Sequence, residues 1–237
     1  MPLEAVTAGY FGVVPSRPSW LDDRHVGASL VSLDRELVAM VPGPAWTTSS
    51  LDVALRNVEV PESELPAATA WLDEAWRCGD VLYPNVFRAP SVLDGFLDRF
   101  APASPVIIIG AALDGDDLDG FLADYNAEIG QLDGIIDMLR RAAPLAPGYQ
   151  SLGYEPVEVT LGGFGNSWTI HGLQPAVEAA TGVVPNGYGL VSTRDETRAV
   201  MGYLSAPEVP KEPGMWRAWQ VVSYPRHKPP SGDSARS

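Results

Sequence analysis

Alternation and runs of apolar residues mark four candidate strands. Residues 106–113 form an unbroken, largely β-branched apolar run, which is typical of a strand covered on both faces and therefore central in its sheet. Residues 157–161 alternate valine and leucine with glutamate and threonine, the period-two pattern of a half-buried strand. Residues 5–14 and 216–224 have the composition of a first and a last strand. The pattern predicts 106–113 near the centre of a sheet that also contains 157–161 and 216–224.

Helical spacing of apolar residues alternates with these strands along the chain. The helix predicted over 63–77 carries Leu65, Ala68, Leu72, Ala75 and Trp76 on one face. Residues 30–41 fit either a helix or two short strands. The remaining predicted helices are 50–57, 91–100, 129–141, 173–180 and 194–204, of which 129–141 has the clearest apolar stripe. The fold class predicted is α+β, with a mixed β-sheet of about four to six strands packed with several helices.

The chain divides into one large unit and a short tail. Residues 1–224 are predicted to form a single globular domain, with a soft boundary at the Pro/Gly-rich residues 144–150. Residues 225–237 are rich in Pro, Ser, Lys and Arg and offer no apolar residue to bury, which predicts a disordered basic tail. The single cysteine, Cys78, excludes an internal disulfide and a cysteine-based zinc cage.

The charge is strongly acidic and unevenly placed. The chain has a formal net charge of −14, and residues 1–210 hold 28 acids against 11 arginines. An acidic body repels phosphate backbones, so nucleic acid is not expected as a partner, whereas a basic protein is. The same charge is also explained by solubility alone. No apolar run reaches the length of a membrane span and the first residues lack a secretory n-region, so the expected location is cytoplasmic.

Four aspartates, Asp114, Asp116, Asp117 and Asp119, form the densest acidic cluster. An EF-hand loop starting at Asp114 would need an oxygen ligand at its fifth position and glycine at its sixth, and the chain has Leu118 and Asp119 there. We interpret the cluster as a solvated helix N-terminus and a candidate binding surface. No metal and no cofactor are predicted. With no lysine before Lys211, the P-loop, Schiff-base and kinase lysines are missing from residues 1–210.

A second candidate site follows the predicted strand 157–161. Three glycines break the strand and precede Asn166, Ser167, Trp168 and His171, the densest run of hydrogen-bonding and aromatic side chains. The dinucleotide fingerprint fails there because Trp168 stands where its last glycine should be. The run is interpreted as a bulge between strands with a structural histidine, or as the site of a hydrolase or transferase that uses His171 with Ser167 or Asn166.

Three functional hypotheses remain open at the level of sequence. In being small, acidic, rich in arginine and alanine and poor in catalytic signatures, the chain resembles bacterial immunity proteins, which cap toxic partners. That resemblance implies a non-enzymatic bacterial binding protein, immunity- or inhibitor-like, that docks a basic protein through an acidic surface. The alternatives are the small hydrolase or transferase and a structural subunit of an assembly; the sequence does not specify an oligomeric state.

Overall fold

A computed structural model describes residues 4–16, 29–43, 48–128, 134–160, 163–169, 173–209 and 214–226. Its strands within these ranges are β1 (Ala5–Val14), β2 (Ala39–Met40), β3 (Val81–Leu82), β4 (Val86–Phe87), β5 (Ile107–Asp114), β6 (Gln150–Thr160), β7 (Gly163–Ser167) and β8 (Met215–Tyr224). Its α-helices there are α1 (Thr48–Asn57), α2 (Leu65–Cys78), α3 (Pro90–Phe100), α4 (Leu118–Glu128), α5 (Gly134–Arg140), α6 (Leu173–Thr181) and α7 (Arg194–Leu204). Short 3-10 turns precede α2 and α4.

All described strands belong to one sheet with the order β3-β4-β1-β5-β8-β6-β7, and β2 pairs with β1. Strand β5 occupies the middle of this order, and β6 and β8 lie in the same sheet, which confirms the α+β class and the predicted centre. The expected size and the mixed character were wrong. The sheet has eight strands, and each pairing among them is antiparallel. Three of the strands have only two residues, too few to show any periodicity.

Apolar side chains pack on both faces of this sheet. The larger cluster joins β1, β5 and β8 to helices α1 to α5, and the smaller one joins Trp168 and Trp216 to α6 and α7. Strand β6 is therefore not half-buried as predicted: Glu158, expected on a solvent face, is only 3% exposed. Gly214 lies so close to its carboxylate that a Cβ at residue 214 would come within 2.0 Å of Oε1.

The helices agree with the predicted spacing in most, but not all, positions. Helix α2 buries Leu65, Ala68, Leu72 and Ala75, whereas Trp76, which was predicted on the same face, is 51% exposed. Residues 30–41, which fitted a helix or two short strands, form largely irregular chain with β2 near its end. The predicted helix 129–141 is seen from Gly134 as α5, whose isoleucines and leucine are buried; residues 129–133 lie outside the described residues.

The C-terminal end of the last strand is anchored by hydrogen bonds. The Tyr224 hydroxyl donates to the carbonyl of Ala146 at 2.9 Å, and the amide of Ala146 donates to the Tyr10 hydroxyl at 2.8 Å. The segment 144–150, which was predicted as a soft boundary, is thus hydrogen-bonded to two strands. Arg226 follows β8 and donates to the carbonyl of Ser104 at 2.9 Å. Residues 227–237 of the predicted tail lie outside the described residues.

Candidate functional site

A groove of about 750 Å³ lies on the sheet face beside α7. Its floor is formed by the small side chains of Ala5, Ala112 and Ala218, which stand on β1, β5 and β8. Small residues on three neighbouring strands leave the space that larger side chains would fill. Helix α7 borders the groove, as do the ends of β1 and β5 and the segment that precedes β6.

The register of the sheet places one polar side chain in the middle of this floor. Gln220 of β8 pairs with Ala112 on one side and with Tyr154 of β6 on the other. A β-bulge at Gly153 puts Tyr154 in that position, because an extra residue reverses the side-chain alternation that follows it. Gly153 has φ of +143°, and a Cβ there would come within 2.6 Å of the Val191 carbonyl, so the bulge requires glycine.

Helix α7 is held in place at its first turn by a capping box. The Thr193 hydroxyl accepts from the amide of Glu196 at 3.2 Å, and the Glu196 carboxylate accepts from the amide of Thr193 at 3.0 Å. Arg194 begins the helix and forms an ion pair with Asp114 at the end of β5. This ion pair links the helix to the acidic cluster and closes one end of the groove.

The acidic cluster gathers beside this ion pair. The Asp114 side chain also accepts from the amide of Asp116 at 3.1 Å, which caps the 3-10 turn Gly115–Asp117. The amide of Gly115 donates to the carbonyl of Glu4 at 3.2 Å and so brings the start of β1 to the same place. Glu4, Asp114, Asp116 and Asp117 all line the groove. The interpretation of the aspartates as a helix N-terminus agrees with this geometry.

The arginines of the groove are already engaged. Arg194 pairs with Asp114, Arg198 lies 3.0 Å from Asp195, and Arg217 lies 2.6 Å from Asp124. Within the described ranges, no cation pairs with the carboxylates of Glu4, Asp116 or Asp117. The groove therefore offers acceptor groups that its own basic residues leave unused.

Two tyrosines, Tyr149 and Tyr154, line the groove together with Glu4. Tyr154 is half-buried, and burial raises the pKa of its hydroxyl, with smaller contributions in the same direction from Glu4 and Tyr149. Tyr149 is 44% exposed at the groove and meets Tyr224 edge-on at 6.3 Å between ring centres. A groove lined by carboxylates and aromatic rings is a favourable environment for an organic cation.

A separate polar cluster lies in the interior, around Glu155 and Asp34. Glu155 accepts from the Ser32 hydroxyl at 2.5 Å, the Leu33 amide at 2.7 Å and the Ser167 hydroxyl at 2.7 Å. Asp34 accepts from the Ser167 amide at 3.0 Å. Burial raises the pKa of Glu155 to about 7, although the three hydrogen bonds act to lower it. Burial raises the pKa of Asp34 as well. The cluster ties the chain before β2 to β6 and β7.

The structure places the residues of the two predicted sites in different surroundings. Asp114, Asp116 and Asp117 line the groove, while Asp119 is exposed on the first turn of α4 and does not. Asn166 donates to the Glu158 carboxylate at 3.1 Å. Ser167 is fully buried in the Glu155 cluster, Trp168 is fully buried under α6 and α7, and neither lines the groove.

His171 lies outside the described residues, so its relation to either site stays a prediction. Sequence reasoning missed Glu4, Tyr149, Tyr154, Arg194 and Gln220, and no local signal marks them because each stands on a different element. Across the described part of the chain, no group of three or more histidine, cysteine, aspartate or glutamate side chains is arranged to hold a metal ion. No helix in that part is both long and apolar enough to cross a membrane.

Fold and site together define an α+β protein with a central antiparallel sheet and a charged, aromatic groove on one face. No protein-family model, no curated protein and no solved structure matches the chain.

Proposed function

We propose that this protein is a non-enzymatic binding protein that docks a basic protein partner through its acidic surface, as immunity and inhibitor proteins do. The observation that carries the proposal is the set of carboxylates at the groove, Glu4, Asp116 and Asp117, which have no cationic partner in the described ranges. The net charge of −14 adds a long-range field of the same sign. Fields of this kind steer an oppositely charged partner and raise the association rate.

The buried cluster favours binding over the hydrolase or transferase alternative. A nucleophilic serine must be reachable by substrate and hydrogen-bonded to a base. The Ser167 hydroxyl is fully buried, donates to Glu155, and accepts from the Thr169 hydroxyl at 3.2 Å. Asn166 is engaged by Glu158. The side chains of Ser167 and Asn166 thus form hydrogen bonds within the fold, and neither lines the groove.

The test compares two triple variants with the same change of net charge. The groove variant carries Glu4→Gln, Asp116→Asn and Asp117→Asn. The control carries substitutions of three exposed acids on or beside α2, away from the groove: Glu64→Gln, Asp73→Asn and Asp80→Asn. Proteins captured by the wild type from the native host are identified, purified and measured in binary binding.

We expect a basic partner whose association slows with added salt, and slows further with the groove variant than with the control variant. Equal binding by both variants, or a partner without basic character, would overturn the proposal. Turnover of any substrate that His171→Ala abolishes, at an unchanged melting temperature, would establish the enzyme instead.

A further inference from the structure

Gln220 presents an unused amide group to the groove. Its side chain lines the groove from β8, where the register places it between Ala112 of β5 and Tyr154 of β6. Among the residues that the structure describes, none forms a hydrogen bond with this side chain. A glutamine amide carries an acceptor oxygen and two donor hydrogens on one planar group. The groove therefore offers a ligand a donor and an acceptor side by side.

The space around Gln220 is bounded along the direction of the strands. At one end Arg194 reaches from α7 to Asp114, the last residue of β5. At the other end Leu145 covers Gly110, because a Cβ at residue 110 would lie 3.2 Å from its Cδ2 atom. Residues 110 and 114 stand four apart on the same strand, so the two ends are ~14 Å apart. This length suits a small molecule better than an extended protein segment, which would have to pass over one of the ends.

The surfaces next to Gln220 are apolar and uncharged. Ala218, two residues earlier on the same face of β8, contributes only a methyl group to the floor. Tyr154 and Met201 pack against the smaller apolar cluster, which contains Trp216, and all three line the groove. The volume of about 750 Å³ lies in the range of ligand pockets, ~300–1,000 Å³. A small side chain below and larger apolar side chains beside a planar amide favour a flat ligand with apolar faces.

From this geometry we infer that the groove binds a small, uncharged molecule that carries a carboxamide or lactam group on a flat apolar body. The amide of the ligand pairs with Gln220 through two hydrogen bonds, one in each direction, and the body lies on Ala218 beside Tyr154. An anionic ligand is disfavoured because Asp116 and Asp117 line the same groove. The inference goes beyond the proposed function, since the groups that recognise this ligand carry no charge.

The test uses three probes of the same shape: neutral benzamide, the benzoate anion and the benzamidinium cation. Each is titrated into the full-length, isotope-labelled protein, and the side-chain NH₂ signals of Gln220 are followed, assigned by their absence from Gln220→Leu. We expect saturable, millimolar binding of benzamide with shifts of these signals, since so few atoms supply little affinity. Benzoate has no donor and benzamidinium has no acceptor, so each should shift the Gln220 signals less than benzamide does.

Variants then test the two parts of the site. Gln220→Leu should weaken benzamide binding roughly fivefold or more, the loss expected for at least one neutral hydrogen bond, as measured on the backbone signal of Ala218. Gln150→Leu makes the same change at an exposed glutamine outside the groove and should leave the affinity unchanged. Ala218→Leu keeps Gln220 but fills the space beside it, and it should abolish binding. The melting temperature of each variant shows whether the fold is kept.

Any of four results would overturn the inference. They are the absence of saturable benzamide binding, larger Gln220 shifts with benzoate or benzamidinium, wild-type affinity in Gln220→Leu, and wild-type affinity in Ala218→Leu. If one of these variants does not fold, the other one decides. The acids of the groove triple variant are untouched in these experiments, so the outcome is independent of the test of the proposed function.

Discussion

Replacing Glu155 with glutamine should stabilise the protein more as the pH rises. Glu155 is 1% exposed, and burial raises its pKa from the ordinary 4.5 to about 7. Below pH 4.5 the carboxyl is protonated in both the folded and the unfolded chain, so the folded protein loses no stability to ionisation of Glu155. Between these two pKa values the unfolded chain ionises first, so the free energy of unfolding falls by ~3 kcal/mol, at 1.36 kcal/mol for each pH unit.

A glutamine at residue 155 stays neutral, so the free energy of unfolding does not fall in this way as the pH rises. Its oxygen can accept from the Leu33 amide, and its NH₂ group can donate to the hydroxyls of Ser32 and Ser167, which donate to Glu155 in the wild type and can accept as well. The free energy of unfolding of Glu155→Gln minus that of the wild type should therefore rise by ~3 kcal/mol between about pH 4 and about pH 8. Asp34, whose pKa is also raised by burial, is present in both proteins and largely drops out of this difference.

Urea unfolding followed by tryptophan fluorescence across that pH interval measures the difference directly. Glu64→Gln, a substitution of an exposed acid, should give a curve parallel to that of the wild type. A pH-independent difference between Glu155→Gln and the wild type would refute the reasoning. A difference of the opposite sign would show that the three donors hold Glu155 ionised at neutral pH.

Four further outcomes are expected. Ile136→Ala should lower the free energy of unfolding by ~2–4 kcal/mol, because Ile136 is buried in α5 against the main core; urea unfolding with Asp137→Ala as a control checks it. Leu72→Ala should cost ~2–5 kcal/mol, and Trp76→Ala on the same helix less than about 1 kcal/mol; similar costs would place Trp76 in the core after all. Thr193→Ala should cost ~1 kcal/mol through loss of the capping box, seen as a lower urea midpoint, and Thr193→Ser should restore most of it. Truncation after Arg226 should leave the melting temperature unchanged, and a drop of several degrees would show that the removed segment packs on the body.

The elements with strong local periodicity could be predicted from the sequence, and the candidate site could be predicted only in part. The unbroken run at 106–113 identified the central strand, and the spacing of valine and phenylalanine identified α3. The acidic cluster was recognised because its aspartates are neighbours in the chain. The groove that it borders was not, because Glu4, Tyr154 and Gln220 meet only through the pairings of β1, β6 and β8.

The sequence by itself determined most of the longer strands and helices, since alternation and 3.6-residue spacing record which side of an element avoids water. It did not determine what covers the other side. Glu158 alternates with Val157 and Val159 as a solvent-facing residue would, yet it is buried, and α7 packs on β6. Glu155 is buried beside the chain before β2, whose Leu33 amide donates to it. Trp76 has the helical spacing of the buried residues of α2, yet it is 51% exposed. A side chain is buried only when another part of the chain packs on it, and only the tertiary structure shows which part does so.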